Sequence, residues 1–313
     1  MKKFTIPVTG LFAGLFALVL ITSASQPAAA AEKKTLTFAA IQTEEMSTLT
    51  GRWQETLKYI GKKLDMKINF YATTSYASAV EAMLGGFVDI GKLGPKIYIV
   101  AHEKSGGSIV PLVSTARPPH NYNDKPCACY HGRLIAKAGS KFTSIKAAKG
   151  AVLALTDPGS TSGNALPRAL FPKEIGGQSL EQYFGRVFYA GSHSAASKAV
   201  YTGKTDVAFV SDSTLSRVVD SGYMKVKDTI TLWKSPPIPI DVITINTKYT
   251  SKALARKIKA AFQGLTETEE GRKLLKITTY AAFTPATDSV FDALRLVLAE
   301  KARLKKLSKK KKK

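Results

Sequence analysis

Past its first thirty or so residues the sequence has no apolar run that approaches the roughly 20 residues of a membrane-spanning helix. No cysteine follows the opening apolar stretch, so nothing there suits a lipid anchor. Acidic residues are scarce, with 23 Asp and Glu against 46 Lys and Arg, for a net charge of +23. That excess is unevenly placed, because Lys301, Arg303, Lys305, Lys306 and Lys309 to Lys313 crowd the C-terminus. The run lacks the interleaved aromatics of a nucleic-acid surface, which disfavours that partner. A solvated, frayed tail is the plain expectation, with contact to anionic phospholipid or a partner as the functional alternative. No internal repeat at a fixed spacing is visible.

What is present begins with a leader. Lys2 and Lys3 precede the uncharged run Leu11 to Ile21, and Ala28 to Ala31 offer small residues ahead of Glu32. This is the pattern of a secretory signal over residues 1–31, removed on export, and the apolar run is too short for an anchor. The remaining ~280 residues can bury a large core and fill two lobes. Hydrophobic content of 44% and charged content of 22% are ordinary for a globular chain.

Short apolar strands alternate with amphipathic helices, which predicts an α/β fold. Strands are expected at Thr35 to Ala40, Met66 to Tyr71, Val88 to Gly91, Leu134 to Ala136, Ala151 to Thr156, Asp206 to Val210 and Val242 to Ile245. Trp53, Leu57, Ile60, Gly61 and Leu64 recur at helical spacing, Ala79 to Leu84 suits a short helix, and Lys252 to Leu275 reads as helical. Two Pro-rich segments, Arg117 to Pro126 and Ser235 to Pro239, each precede an apolar strand. They suit two extended crossings between lobes, where a ligand cleft is expected, although two loops within one domain would look similar.

The segment richest in chemistry is Asp157-Pro158-Gly159-Ser160-Thr161-Ser162-Gly163-Asn164, between a strand and the helical run Ala165 to Leu170. Hydroxyls at a helix start cap free N–H groups, and the same N–H groups and dipole attract anions. Gly159 and Gly163 are expected to lend backbone freedom. Two enzyme signatures are absent. Thr161 stands where a nucleophile elbow needs serine, and no Gly-Lys-Ser/Thr follows for a phosphate-binding P-loop. Further on, Gly191-Ser192-His193-Ser194 places a histidine among small residues, either as a packing group or as a donor that titrates near neutral pH. Ser211-Asp212-Ser213-Thr214 is another polar turn, and Asp212 and Ser213 are candidates for further ligand contacts.

Together Asp157 to Gly163, His193 with Ala199-Val200, Val88-Asp89-Ile90 and Ser235 to Asp241 resemble the phosphonate/phosphite/phosphate-binding proteins of ABC importers. The resemblance implies a type II, two-lobed periplasmic binding protein, hinged at two crossing segments. Its lobes would be residues 32–128 with 241–300, and 129–240, ahead of a basic tail at 301–313. It implies that Ser160, Thr161, Ser162 and His193 hold the oxyanion, with Tyr76, Tyr130 and Asp241 also in contact. No cofactor and no catalysis are implied. The implied partner is a membrane permease, or a sensor kinase in a signalling relative. Asp241 is expected to favour a ligand that carries a proton or an ammonium group.

Cys127 and Cys129 depart from the family pattern. They suit an inert pair, a strained short-loop disulfide, or a soft-ligand site near His120 and His131. Arsenite-binding relatives in the wider family give the last option weight as an arsenite sensor. A hydrolase built on Ser160, His193 and Asp241 and a structural protein held to anionic lipid by the lysine tail also stay open.

Overall fold

A computed structural model of the chain describes Met1 and residues 35–310, with side chains described as far as Arg303. The leader segment and the side chains of the lysine run beyond Arg303 lie outside the described residues.

The chain builds half of a first sheet before leaving it. β1 (Thr35–Ala40) alternates threonine with Leu36 and Phe38, a pattern that suits a strand with one face on a core. α1 (Met46–Leu64) lays Trp53, Leu57 and Ile60 against that face, and the Phe38 and Trp53 rings meet at 4.7 Å. β2 (Lys67–Tyr71), α2 (Tyr76–Leu84), β3 (Ile90–Leu93), α3 (Pro95–Lys104) and β4 (Ile109–Ala116) follow.

The chain then crosses through β5 (Cys129–Tyr130) into a second sheet. Its elements are β6 (Gly132–Lys137), β7 (Val152–Leu155), α4 (Leu166–Leu170), α5 (Leu180–Tyr183), β8 (Arg186–Tyr189), α6 (His193–Tyr201), β9 (Val207–Ser211), α7 (Asp212–Asp220) and β10 (Thr229–Lys234). It returns through β11 (Ile238–Pro239) and completes the first sheet with β12 (Val242–Asn246), α8 (Lys252–Gln263), α9 (Glu269–Thr278), β13 (Ala282–Pro285) and α10 (Asp292–Lys310).

The sheets run β13-β4-β12-β3-β1-β2 and β10-β6-β9-β7-β8. Each has three parallel strands, β2-β1-β3 and β8-β7-β9, flanked by antiparallel ones. The crossings pair with each other, Ile238 opposite Tyr130 and Pro239 opposite Cys129, so the two connections form one ribbon. This is the two-lobed α/β architecture expected from the sequence. In such sheets ligands gather beyond the carboxyl ends of the parallel strands. Here those ends are Ile41 to Glu45 after β1, Gly94 after β3, Thr156 to Ser160 after β7 and Ser211 at the end of β9. One hydrophobic cluster runs from Tyr76 and Tyr98 through Tyr130, Ile238 and Ile240 to Leu166 and Phe291, so it includes residues of both lobes and both crossings.

Several elements differ from expectation. The helical stretch from Lys252 is two helices, separated around Gly264 to Thr266 and restarted by Thr268, whose hydroxyl accepts the Gly271 N–H. The tail expected to fray carries α10 as far as Lys310. Its Leu, Ala, Lys, Arg and Glu content is that of a strong helix former.

Candidate functional site

The loop after β7 turns into a wide π-helical turn, Thr161–Ala165, in which the Ala165 N–H reaches back five residues to the Ser160 carbonyl at 3.0 Å. Ser160 caps it, its Oγ accepting the Gly163 N–H at 3.0 Å. Gly159 and Gly163 were expected to supply conformational freedom, yet neither adopts a left-handed φ. Their glycine identity has a steric cause. A Cβ on Gly163 would stand 1.9 Å from Thr156 Oγ1, and one on Gly159 would stand 2.7 Å from Tyr76 Cβ in the opposite lobe.

Around this turn the lobes enclose a small pocket with a cavity volume of ≈ 20 Å³, on the order of the space one or two waters require. The second lobe contributes Ser160, Thr161, His193, Ser213 and Arg217; the first contributes Thr43, Tyr76 and Gly94. Arg117, Tyr130 and Asp241 come from the crossings and their ends. Six of the seven residues singled out from sequence therefore converge here. Ser162 does not line the pocket; it is fully buried, near the Tyr130 phenol but without a well-aligned hydrogen bond. Asp212 is also turned away, 3.2 Å from His131 Nδ1, whereas Ser213 faces the pocket.

His193 begins α6, and its ring is buried. Nδ1 accepts the Ser211 N–H at 3.0 Å, which leaves the neutral ring's proton on Nε2, 3.2 Å from Ser160 Oγ. Burial, aided by the Arg217 charge and opposed by Asp241, pushes its pKa down to about 3. The expectation of a histidine titrating near neutral pH is thus corrected. Desolvation and an occupied Nδ1 keep the imidazole uncharged, as a fixed donor.

The two phenols are held protonated as well. Burial first, then the Asp241 charge, pushes both Tyr76 and Tyr130 well above the usual tyrosine range. Tyr76 OH is buried with no hydrogen-bond partner among the described residues. Asp241 takes the ammonium of Lys92 at 2.5 Å. Burial alone would raise its pKa, but Lys92, Arg117 and Arg217 together lower it. Asp241 is therefore a buried, ion-paired carboxylate on the pocket wall.

The lobes are joined directly across the cleft. Thr161 Oγ1 accepts the Lys96 N–H from the first turn of α3 at 2.9 Å, and the Thr43 carbonyl accepts the Ser194 N–H at 3.2 Å. Glu45 takes Lys198 Nζ at 2.7 Å and the Ser194 hydroxyl at 3.1 Å. Glu44, gripped by Arg52 at 3.1 and 3.2 Å, faces Arg217 at 3.7 Å.

Lys92, Arg217 and the loop Ile41 to Glu45 were not singled out from sequence. Lys92 had one legible signal, a lysine inside an otherwise apolar strand. Arg217 had another, lying three and four residues beyond Thr214 and Ser213 on one helical face. Cys127 and Cys129 form a disulfide with each other, and neither lines the pocket.

The family described as ABC transporter, phosphonate, periplasmic substrate-binding protein matches residues 38–291. The phosphate-import protein PhnD of Mycolicibacterium smegmatis is 28% identical over 279 residues, covering 84% of this chain and 85% of that protein. The phosphonates-binding periplasmic protein of Escherichia coli is 29% identical over 294 residues, covering 88% and 79%. Among solved structures, a binding-protein component of an ABC phosphonate transporter from Pseudomonas aeruginosa superposes with a TM-score of 0.77 at 23% identity, covering 87% of this chain and 88% of that one. PhnD1 of Prochlorococcus marinus, in complex with methylphosphonate, gives 0.72 at 15% identity, covering 85% and 98%.

Proposed function

The chain belongs to the family of periplasmic substrate-binding proteins of phosphonate ABC transporters, and we propose that its small pocket captures one tetrahedral phosphorus oxyanion for import. Phosphonate, phosphite and phosphate form the ligand class. A membrane permease receives the closed, loaded protein, and residues 1–31 are removed on export.

One observation carries this reading: donors of fixed protonation state converge on a pocket of compact size. Tyr76 and Tyr130 hold their phenolic protons, His193 offers Nε2–H, Ser160 and Thr161 add hydroxyls, and Arg217 adds positive charge. A desolvated oxyanion needs several such donors at once, because each unpaired charged oxygen is expensive. The relatives named for phosphate import and for phosphonates support the ligand class. Within that array Ser160, Thr161, Tyr76, Tyr130 and His193 are direct ligands. Asp241, paired with Lys92, sets the local potential.

Turnover has no support in this geometry. A serine hydrolase needs histidine to donate Nδ1–H to its acid and to accept the serine proton at Nε2. Here Nδ1 accepts from Ser211, so Nε2 carries the hydrogen and cannot serve as base. Arsenite sensing has none either, since both cysteines are joined in a disulfide outside the pocket wall.

Calorimetric titration of the mature protein with phosphite, methylphosphonate, phosphate and arsenite tests the reading. Tight binding of a phosphorus oxyanion is expected, weakened by about 1–3 kcal/mol in Ser160→Ala and in His193→Ala. Unchanged affinity in both variants would remove the site assignment, and binding of arsenite alone would remove the function.

A further inference from the structure

The cleft holds a second and much larger space. An open chamber of ≈ 910 Å³ lies between α7, α9 and the first crossing, with Pro118, Leu275 and Tyr280 on its walls beside His120, Asp220, Arg272 and Lys276. Arg117 and Arg217 line both this chamber and the small pocket. Arg117 is 7% exposed, and the Arg217 side chain is 9% exposed. Among the described residues Arg117 Nε has no hydrogen-bond partner, whereas Arg217 Nε faces Glu44 at 3.7 Å and its terminal nitrogens reach Thr214 at 2.9 Å and Thr43 and Ser213 at 3.4 Å.

The charges around these two guanidiniums are unevenly matched. Arg117 makes only long bonds to Thr279, of 3.3 and 3.4 Å, and lies 5.0 Å over the Tyr280 ring. Of the carboxylates near the pair, Glu44 is shared between Arg52 and Arg217, and Asp241 is taken by Lys92. On the chamber side Arg272 and Lys276 add two exposed cations from α9. Of the residues that line it, Asp220 alone is acidic, and it is held by the Asn121 amide at 2.8 Å and the Ser216 hydroxyl at 3.3 Å. Burial keeps His120 below the usual histidine range. The chamber therefore sets Arg117, Arg217, Arg272 and Lys276 against the single carboxylate of Asp220, a balance in which a second negative charge is favoured and an ammonium is opposed.

We propose that this chamber receives the substituent of the bound phosphonate and selects substituents that carry an anionic group, such as a carboxylate, over those that carry an ammonium. The inference rests on the oxyanion reading of the small pocket and extends it. The compact pocket takes the head group, and the chamber, at the scale of organic-ligand sites, reads what is attached to it. Arg117 and Arg217, common to both spaces, contact the two ends of one ligand.

The test is calorimetric titration with methylphosphonate, phosphonoacetate and 2-aminoethylphosphonate, on the wild type and on Arg272→Gln with Lys276→Gln. Phosphonoacetate is expected to bind at least about tenfold more tightly than 2-aminoethylphosphonate, one such step being ~1.4 kcal/mol. The double variant is expected to lose most of that preference while methylphosphonate affinity holds within about twofold, because both side chains lie outside the small pocket. Equal affinity for the acid and the amine, or preference for the amine, overturns the chamber's role and leaves the oxyanion site standing. A parallel loss for methylphosphonate in the double variant also overturns it, since the cations would then act on the head group. Failure of all three compounds while phosphate or phosphite binds overturns the chamber's role and leaves the oxyanion site standing, and failure of phosphate and phosphite as well removes both readings.

Discussion

His193 accepts the backbone N–H of Ser211 through Nδ1 at 3.0 Å, and that bond fixes both the tautomer and the charge of the ring. Its pKa of about 3 lies below the ordinary 6.5, so the unfolded chain takes up this proton more readily than the folded one. The contribution is therefore intact above about pH 6.5 and lost progressively as pH falls towards the folded value. A slope approaching ~1.4 kcal/mol per pH unit is expected from this group alone within that window. Denaturant unfolding between about pH 6 and about pH 4.5 should show that loss in the wild type and distinctly less of it in His193→Gln. Equal slopes would show that the ring is not held neutral by the fold.

Lys92 and Asp241 make the opposite kind of pair, both charged and both buried. Burial by itself would lower the lysine pKa, but the charge and hydrogen bond of Asp241 raise it. Asp241→Asn leaves the ammonium in the interior without its counter-charge. A loss of about 3–5 kcal/mol in urea unfolding is expected, and adding Lys92→Met should restore most of it. A loss in Asp241→Asn below about 1 kcal/mol, the scale of an exposed pair, would show that water reaches the pair.

The legible part of this site was the part written contiguously. Ser160 to Gly163 places hydroxyls and glycines at a helix start, and both capping and anion binding follow from local geometry. The alternation of Thr35 to Ala40 likewise names a strand without reference to the rest of the chain. Lys92, Arg117 and Arg217 lie on β3, at the first crossing and on α7, and only the tertiary arrangement gathers them around Asp241. The charge state of His193 was hidden for the same reason, because it depends on burial and on a backbone donor 18 residues away. Gly159 was legible as a glycine but not for its cause, since the atom it avoids belongs to Tyr76 in the other lobe.

Cys127 and Cys129 lie beside Tyr130, but their disulfide is not part of the pocket wall. What connects that segment to the return crossing is the backbone pairing of Cys129 with Pro239, which does not depend on the sulfur. Reduction, or Cys127→Ser with Cys129→Ser, is therefore expected to leave methylphosphonate affinity within about twofold, well under 1 kcal/mol. Titration with and without reductant measures this. Arsenite added to the reduced protein should not displace the phosphonate, and displacement abolished by Cys127→Ser would return the cysteines to the site.

Tyr76 and Ser160 should separate binding from stability. The Tyr76 hydroxyl is buried with no partner among the described residues, so Tyr76→Phe removes a desolvated polar group without breaking a hydrogen bond to them. Its stability is expected to be unchanged or raised by about 1 kcal/mol, while ligand affinity falls by about 1.5–3 kcal/mol, the range for a bond to a charged acceptor. Ser160 Oγ already accepts the Gly163 N–H. Ser160→Ala should therefore lose affinity together with about 1 kcal/mol of stability from the missing cap. Thermal unfolding of the free proteins and calorimetry with methylphosphonate give both numbers for both variants. If Tyr76→Phe lowers stability and leaves affinity unchanged, the phenol is a structural group and the donor array loses its first-lobe member.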